Sequence, residues 1–453
     1  MSAHASDRGL LGLRSGIGLV MANMIGAGVF LSAGYMAQDM GPYTIILSWI
    51  FGAGLALCGV RTYAAIASFV ESSGGEYRYL SELLHPAVGY FAGWASLLLG
   101  FAAPVAIDAY AIGAFLNTLI DGPDPRITGA LIIVALTAAH ALHMAWSKWT
   151  QNLLVLVKAI LVIGFAVLGL VVGAHALPTW SAPNATGGFP VQAFFENQFW
   201  IAFAFSGWNA AIYAAGDFRK PRSHVPKAMI IGCSVVAVLY LLINWVFVAN
   251  LTPVQAALVL DHEATRITLG HLVALELLGP LGGTLMSIFA IIAFTSAMSA
   301  MTLVGPRVYS AMAGDGFLPR MFRGRDGTPP TGAVVLQGLL AIALLFTYSV
   351  LQAVESASAV LLVFSGLVAV SLFVVWRKRP DIKVKKIDLV AAAIYICSVL
   401  GILWYGFQGS TRFVLTLVGV FIVGLASYLG TEAWKRRQAG RAALASTAGT
   451  GPQ

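Results

Sequence analysis

A succession of long apolar runs, separated by short and mostly basic connections, constrains this chain more than any other feature. Twelve runs can be marked, near residues 11–40, 43–70, 87–120, 127–146, 150–174, 192–217, 227–250, 280–312, 331–350, 353–376, 387–408 and 411–434. About 20 apolar residues span a bilayer as a helix, and inside hydrocarbon every backbone polar group needs a partner within the segment. The sequence therefore predicts an all-α polytopic membrane protein with twelve transmembrane helices. Charged residues are only 10% of the chain, against about 25% in a soluble domain. Runs three and eight are longer than a bilayer needs and must tilt or protrude.

The basic residues predict the topology. Of 27 lysines and arginines, only Arg126, Arg266 and Arg412 fall on the side opposite the N-terminus. Arg61 and Lys158 lie inside runs, and the rest sit on the N-terminal side. That bias places both ends in the cytoplasm, with the chain in the inner membrane. It also accounts for the net charge of +8 without nucleic acid as a partner. Two sequons, Asn184-Ala185-Thr186 and Asn250-Leu251-Thr252, fall on the outer side. The run after the polar start is too long for a signal-peptide core, so the first helix is expected to stay. Glu71 to His85 reads as a short cytoplasmic helix, Phe218 to Lys227 as a basic turn, and Leu251 to Leu278 as an outer lid. The tail, rich in Ala, Gly, Ser and Thr, reads as disordered.

Several function classes drop out. Cys58, Cys233 and Cys397 all lie in apolar runs, which argues against disulfides and zinc. His140 and His143 lack an H-E-x-x-H pattern and read as interfacial, and no Walker A pattern marks a primary pump. No nucleophile–base set suggests an enzyme, and no metal or cofactor is expected.

Two runs are interrupted. In the first, Gly26 and Gly28 flank Ala27 in Ile25-Gly26-Ala27-Gly28-Val29-Phe30; in the sixth, Ser206-Gly207 interrupts Phe203-Ala204-Phe205 ahead of Trp208-Asn209. Glycine weakens a helix interior by about 1 kcal/mol relative to alanine. A break would turn free N–H groups and a positive dipole end toward an anion such as a carboxylate. The alternative is close helix packing through small residues, with the aromatics packed or facing lipid. The breaks fall at matching positions, each opening a set of five runs, and that pairing is a pointer to a transporter site built on inverted repeats. An odd number of crossings makes the second copy inverted.

Several stretches resemble the amino acid–polyamine–organocation (APC) superfamily of permeases. Ile25 to Phe30 resembles their I-G-S-G-I-F motif, and Ser73-Gly74-Gly75-Glu76-Tyr77 their S-G-G-E/D-Y. Phe203 to Asn209 is similar to the F-A-Y-G-G-W-N of the L-type amino acid exchangers, and Arg219-Lys220-Pro221 with Val225-Pro226-Lys227-Ala228 to their N-P-x-R-N-L-P-x-A turn. Ala313 to Pro319 resembles an A-x-D-G-x-L-P after run eight. The resemblance implies a five-plus-five inverted repeat, a leucine-transporter-like fold with broken helices one and six, plus two further helices. The division would be a cytoplasmic segment 1–10, helices one to five over 11–174, an outer loop 175–191, helices six to ten over 192–376, a basic inner loop and two helices over 377–434, and a tail 435–453.

The resemblance also implies a substrate site. The N–H groups of Gly26, Ala27 and Gly28 would meet an α-carboxylate, and the carbonyls of Met24, Ile25, Phe203 and Ser206 its ammonium. Ala204, Phe205 and Asn209 of the second motif would lie alongside, with Phe203 as the gate. The chain departs from the family in having Ala27 where serine is usual, and Ala65 where helix two often carries a glutamate.

Charges at membrane depth are functional hypotheses by default. Asp108 in run three reads either as a pocket residue that favours a cationic substrate or couples protons, or as a paired or hydrated residue near the outer mouth. Arg61 reads as paired with an acid, and Glu355 as interfacial. Ala102, Ala103, Ile291, Ile292 and Phe294 suggest a small or apolar pocket. Lys158 lies too deep in run five for a loop lysine; the bland alternative is snorkelling to the cytoplasmic face. The resemblance places it at a position equivalent to a sodium site between helices one, five and eight. Its ammonium would donate to the Ile25 carbonyl or its neighbours and to Ser296 or Ser299. The reading is a sodium-independent secondary transporter of amino acids, proton-coupled or exchanging. Its rivals are an amino acid sensor on a transporter scaffold and a carrier of polyamines or other organic amines.

Overall fold

In the computed structural model, which describes residues 11–142, 148–180, 182, 188–324, 330–409 and 411–448, the apolar runs are helices and the first of them is broken. The segment 1–10, His143 and the sequon at Asn184 lie outside the described residues. α1 (Leu13–Met24) and α2 (Ala27–Met36) are separated by Ile25 and Gly26, and α3 (Pro42–Ala67) follows. α4 (Gly75–Leu83) is the short helix after the glycine pair. α5 (Pro86–Ala95) runs through a π-helical turn, Ser96–Gly100, into α6 (Ala102–Leu116); α7 (Pro125–Ala141) and α8 (Lys148–Val172) complete the first half.

The second half begins with α9 (Val191–Glu196), α10 (Gln198–Phe205) and α11 (Ala210–Tyr213), so run six is a set of short pieces rather than one helix. α12 (Pro221–Ala249), α13 (Pro253–Asp261), α14 (Glu263–Ile267), α15 (Leu269–Gly314), α16 (Thr331–Thr347) and α17 (Val350–Lys378) follow. α18 (Lys386–Gly409) and α19 (Thr411–Ala448) end the chain. Proline at the first turn starts α3, α5, α7 and α12, where its missing N–H costs nothing. Capping boxes open α13 (Thr252 with Gln255) and α17 (Ser349 with Gln352).

Among the described residues eight helices are long and apolar enough to cross a membrane, three shorter apolar helices join them, and the interrupted segment 191–213 lies in the same chain order. On α8 the residues Leu156, Ile160, Ile163, Val167 and Val171 are exposed. Their spacing of three and four makes one outward apolar stripe, a face suited to lipid. This is an integral membrane protein.

Several expectations change. α15 includes residues read as an outer loop, and bends at Gly279, where φ is +68°; Pro280 disfavours helical geometry in the residue before it. Most of the rest of that loop is α13 and α14. These fold over the end of α2, where Tyr35 Oη donates to Glu263 Oε1 (3.1 Å) and the Arg266 guanidinium lies 5.5 Å from the Tyr35 ring centre. The tail read as disordered from 435 is helical to Ala448, because its alanines, lysines and arginines are strong helix formers. One expectation holds: Arg61 pairs with an acid, Asp388, at 2.9 Å.

Candidate functional site

The geometry of the first break follows from Gly26. The Ile25 amide closes α1 on Met21 O, and Gly26 is extended (φ −127°, ψ −159°), which turns α2 into a separate helix with its own N-terminus. That N-terminus is not open. The Ala27 amide donates to Asp108 Oδ1 at 2.7 Å, across from α6. Asp108 is 1% exposed, and its Oδ2 is buried without a hydrogen bond. A β-carbon on Gly26 would lie 3.1 Å from both carboxylate oxygens, so the carboxylate covers this glycine as well. The reading of Asp108 as a hydrated residue near an outer mouth does not fit its burial.

The second break interlocks with the first. α10 ends at Ser206 (ψ 145°), and Gly207 adopts φ +99°, a region open mainly to glycine. A β-carbon there would come within 2.7 Å of Asn23 O, at the end of α1. In return, a β-carbon on Gly28 would come within 2.7 Å of the Ala204 Cα and 3.0 Å of the Phe203 ring. Phe203 is buried, and its carbonyl accepts from Ser206 N (3.0 Å) and Oγ (2.6 Å).

Side chains from neighbouring helices reach several of the carbonyls that the breaks release. Tyr240 Oη of α12 lies 2.6 Å from Met24 O and 3.0 Å from Ala204 O, so one hydroxyl spans both breaks. Lys158 Nζ of α8 donates to Ile25 O (2.6 Å) and Ala22 O (3.1 Å). It is 1% exposed, too buried for snorkelling. Ser296 makes no hydrogen bond, and Ser299 Oγ lies 3.0 Å from His140 Nε2. Of the expected partners, the ammonium meets Ile25 O and nearby Ala22 O and does not meet Ser296: carbonyls released by a broken helix are free acceptors aimed at the gap, and they take two of its three protons. His140 is thereby tied to α15 rather than left at an interface.

A cavity of about 80 Å³ lies on the helix-six side of the breaks. Of the expected substrate residues, Phe205, Ser206 and Asn209 line it, whereas Met24, Ile25, Gly26, Ala27, Gly28, Phe203, Ala204 and Asp108 do not. Of the expected pocket side chains, none of Ala102, Ala103, Ile291, Ile292 and Phe294 lines it. Glu76 does. It is 4% exposed and accepts from Tyr63 Oη (3.2 Å), Asn209 Nδ2 and Tyr213 Oη. Sequence reasoning placed Glu76 in a cytoplasmic motif and passed over Tyr240; a tyrosine inside an otherwise apolar run was the available signal for the second.

Below α4 two of the motifs meet. Tyr77 Oη donates to the Asp315 carboxylate, Arg78 Nη1 lies 3.2 Å from Asp315 Oδ2, and Lys435 Nζ donates to Asp315 O at 3.0 Å. Burial, then the hydrogen bond and charge of Asp315, hold the Tyr77 hydroxyl well above the usual tyrosine range, with Arg78 opposing. Among the described residues no cluster of three His, Cys, Asp or Glu side chains could hold a metal.

The two breaks bring half-helix ends together, with the Ala27 amide held by Asp108 and the Met24 and Ile25 carbonyls by Tyr240 and Lys158. The chain is 25% identical over 392 residues to the b(0,+)-type amino acid transporter 1 of Mus musculus, covering 82% of this chain and 77% of that protein. It is 23% identical over 445 residues to the Asc-type amino acid transporter 1 of Mus musculus, covering 92% and 81%. It is 26% identical over 319 residues to the serine/threonine exchanger SteT of Bacillus subtilis (strain 168), covering 68% and 70%. The amino acid permease family matches residues 11–426, and the chain belongs to that family of transporters, which are permeases and not enzymes.

Proposed function

We propose that this protein is a sodium-independent secondary transporter of amino acids or their amine relatives, working by exchange across the inner membrane with both termini in the cytoplasm. The observation that carries the sodium independence is the Lys158 ammonium on Ile25 O and Ala22 O. A fixed cation there does the work of a bound sodium ion, tying α1 to α8 beside α15. Exchange rests on the likeness to a serine/threonine exchanger.

The proposed architecture is twelve spans in two inverted sets of five, 11–174 and 192–376, followed by two further helices. Helices that the repeat would match lie against each other: α3 on α12, α6 on α15, α7 on α16. Interrupted segments at corresponding positions are what such carriers use to hold substrate at mid-membrane. The substrate site then lies between the breaks, from Gly26 to Gly28 and from Phe203 to Asn209, with Phe203 as the gate.

Counterflow into proteoliposomes tests the reading. Uptake of a labelled compound should require the same compound inside and should continue when sodium is replaced by choline. Strict dependence on sodium would overturn the reading. So would binding without any transport, the behaviour of a sensor.

A further inference from the structure

We propose that Asp108 takes the place of a substrate carboxylate at the first break, so that the site selects an organic amine with no carboxylate beside its ammonium group. The inference rests on the transporter reading above and narrows its substrate class.

The N-terminus of α2 is where this site would hold an anion, since a free amide and a positive dipole end point there. The chain supplies its own anion: Asp108 Oδ1 sits 2.7 Å from the Ala27 amide, and both oxygens crowd the space over Gly26. A ligand carboxylate brought to the same place would meet a like charge in a low-dielectric interior, which disfavours it. An ammonium meets the opposite situation. Asp108 Oδ2 is buried and lacks a hydrogen-bond donor, and such an acceptor is rarely left unmatched.

The carbonyls point the same way. Those expected to receive a substrate ammonium at the first break are already engaged, Met24 O by Tyr240 and Ile25 O by Lys158. Asp108 Oδ2 remains beside it as an enclosed acceptor without a donor. The cavity adds a second, independent observation. It reaches Pro104, one helical turn before Asp108 on α6, and its wall carries the Glu76 carboxylate and no lysine or arginine. Around the breaks the buried acidic and basic side chains are Glu76, Asp108 and Lys158, two acids and one base. A cationic amine answers the excess acid; a zwitterion leaves it in place, and its carboxylate would meet an Ala27 amide that Asp108 already holds.

The test uses the full-length protein in proteoliposomes preloaded with the compound under study, and matched pairs that differ by one carboxylate: isoamylamine and leucine, phenethylamine and phenylalanine, cadaverine and lysine, agmatine and arginine. The wild type should take up the amine of at least one pair about tenfold or more better than its amino acid. Asp108→Ala, which frees the Ala27 amide, should move that preference toward the amino acid by a similar factor. Preference of the wild type for the amino acid in every pair would overturn the inference and leave the transporter reading intact, and that measurement stands even if the variant does not fold. An unchanged preference in a folded Asp108→Ala would also overturn it. Movement of neither member of any pair would sink the transporter reading together with this one.

Discussion

Gly28 and Ala204 touch backbone to backbone: a single carbon added to Gly28 would come within 2.7 Å of the Ala204 Cα. The contact joins α2 to the end of α10, so the two interrupted segments form one unit. Gly28→Val should abolish transport, because the valine must push α10 away or close the break. Counterflow on the purified variant, with monodispersity in detergent as the check on folding, decides this. A transporting Gly28→Val would remove the interlocked breaks from the mechanism.

Lys158 leads to a second expectation. Lys158→Ala leaves Ile25 O and Ala22 O without their buried donor, and an unsatisfied buried polar group costs about 1–3 kcal/mol. Uptake should fall nearly to background in sodium and choline alike. Full activity of the variant would show that the ammonium is dispensable. Rescue of Lys158→Ala by sodium alone would show that the lysine stands where an ion can bind.

Tyr240 spans both breaks with one hydroxyl. Tyr240→Phe keeps the ring, which packs edge-on against Trp49 at 5.7 Å, and removes only the donor. At about 1 kcal/mol for a neutral hydrogen bond, the variant should fold with a small loss of thermal stability. Because the one hydroxyl proton lies between carbonyls of both breaks, its loss loosens their junction, and transport should drop several-fold more than stability suggests. An unaltered rate would assign Tyr240 to packing alone.

The cluster below α4 is open to a pH test. Tyr77 is held protonated above its usual range by burial and by Asp315. A group whose folded pKa is raised stabilises the fold fully below its unfolded pKa, and that contribution is lost as pH rises through the folded value. The melting temperature of Tyr77→Phe should therefore lie below that of the wild type by a constant margin up to about pH 10. Above that pH the margin should shrink. A margin that is already shrinking near neutrality would mean that the tyrosine is not held in this way.

Much of this protein is determined by its sequence alone. A chain with 10% charged residues and repeated apolar runs has to satisfy its backbone inside each segment, so an all-helical membrane protein follows from local composition. The weak points follow too: Gly26, Gly28 and Gly207 are local facts about backbone freedom, and so is the proline that bends α15 at Gly279. Partners are a different matter. That Asp108 meets Ala27, 81 positions away, that Ser296 is left without a share in the Lys158 ammonium, and that Glu76 faces a cavity beside Asn209 depend on how the helices rotate about their axes. Rotation is set by packing among all the neighbours at once, through contacts distant in sequence, and no local pattern encodes it. The tertiary structure therefore decided which buried charges answer which broken helix, and with that the chemistry that the site can accept.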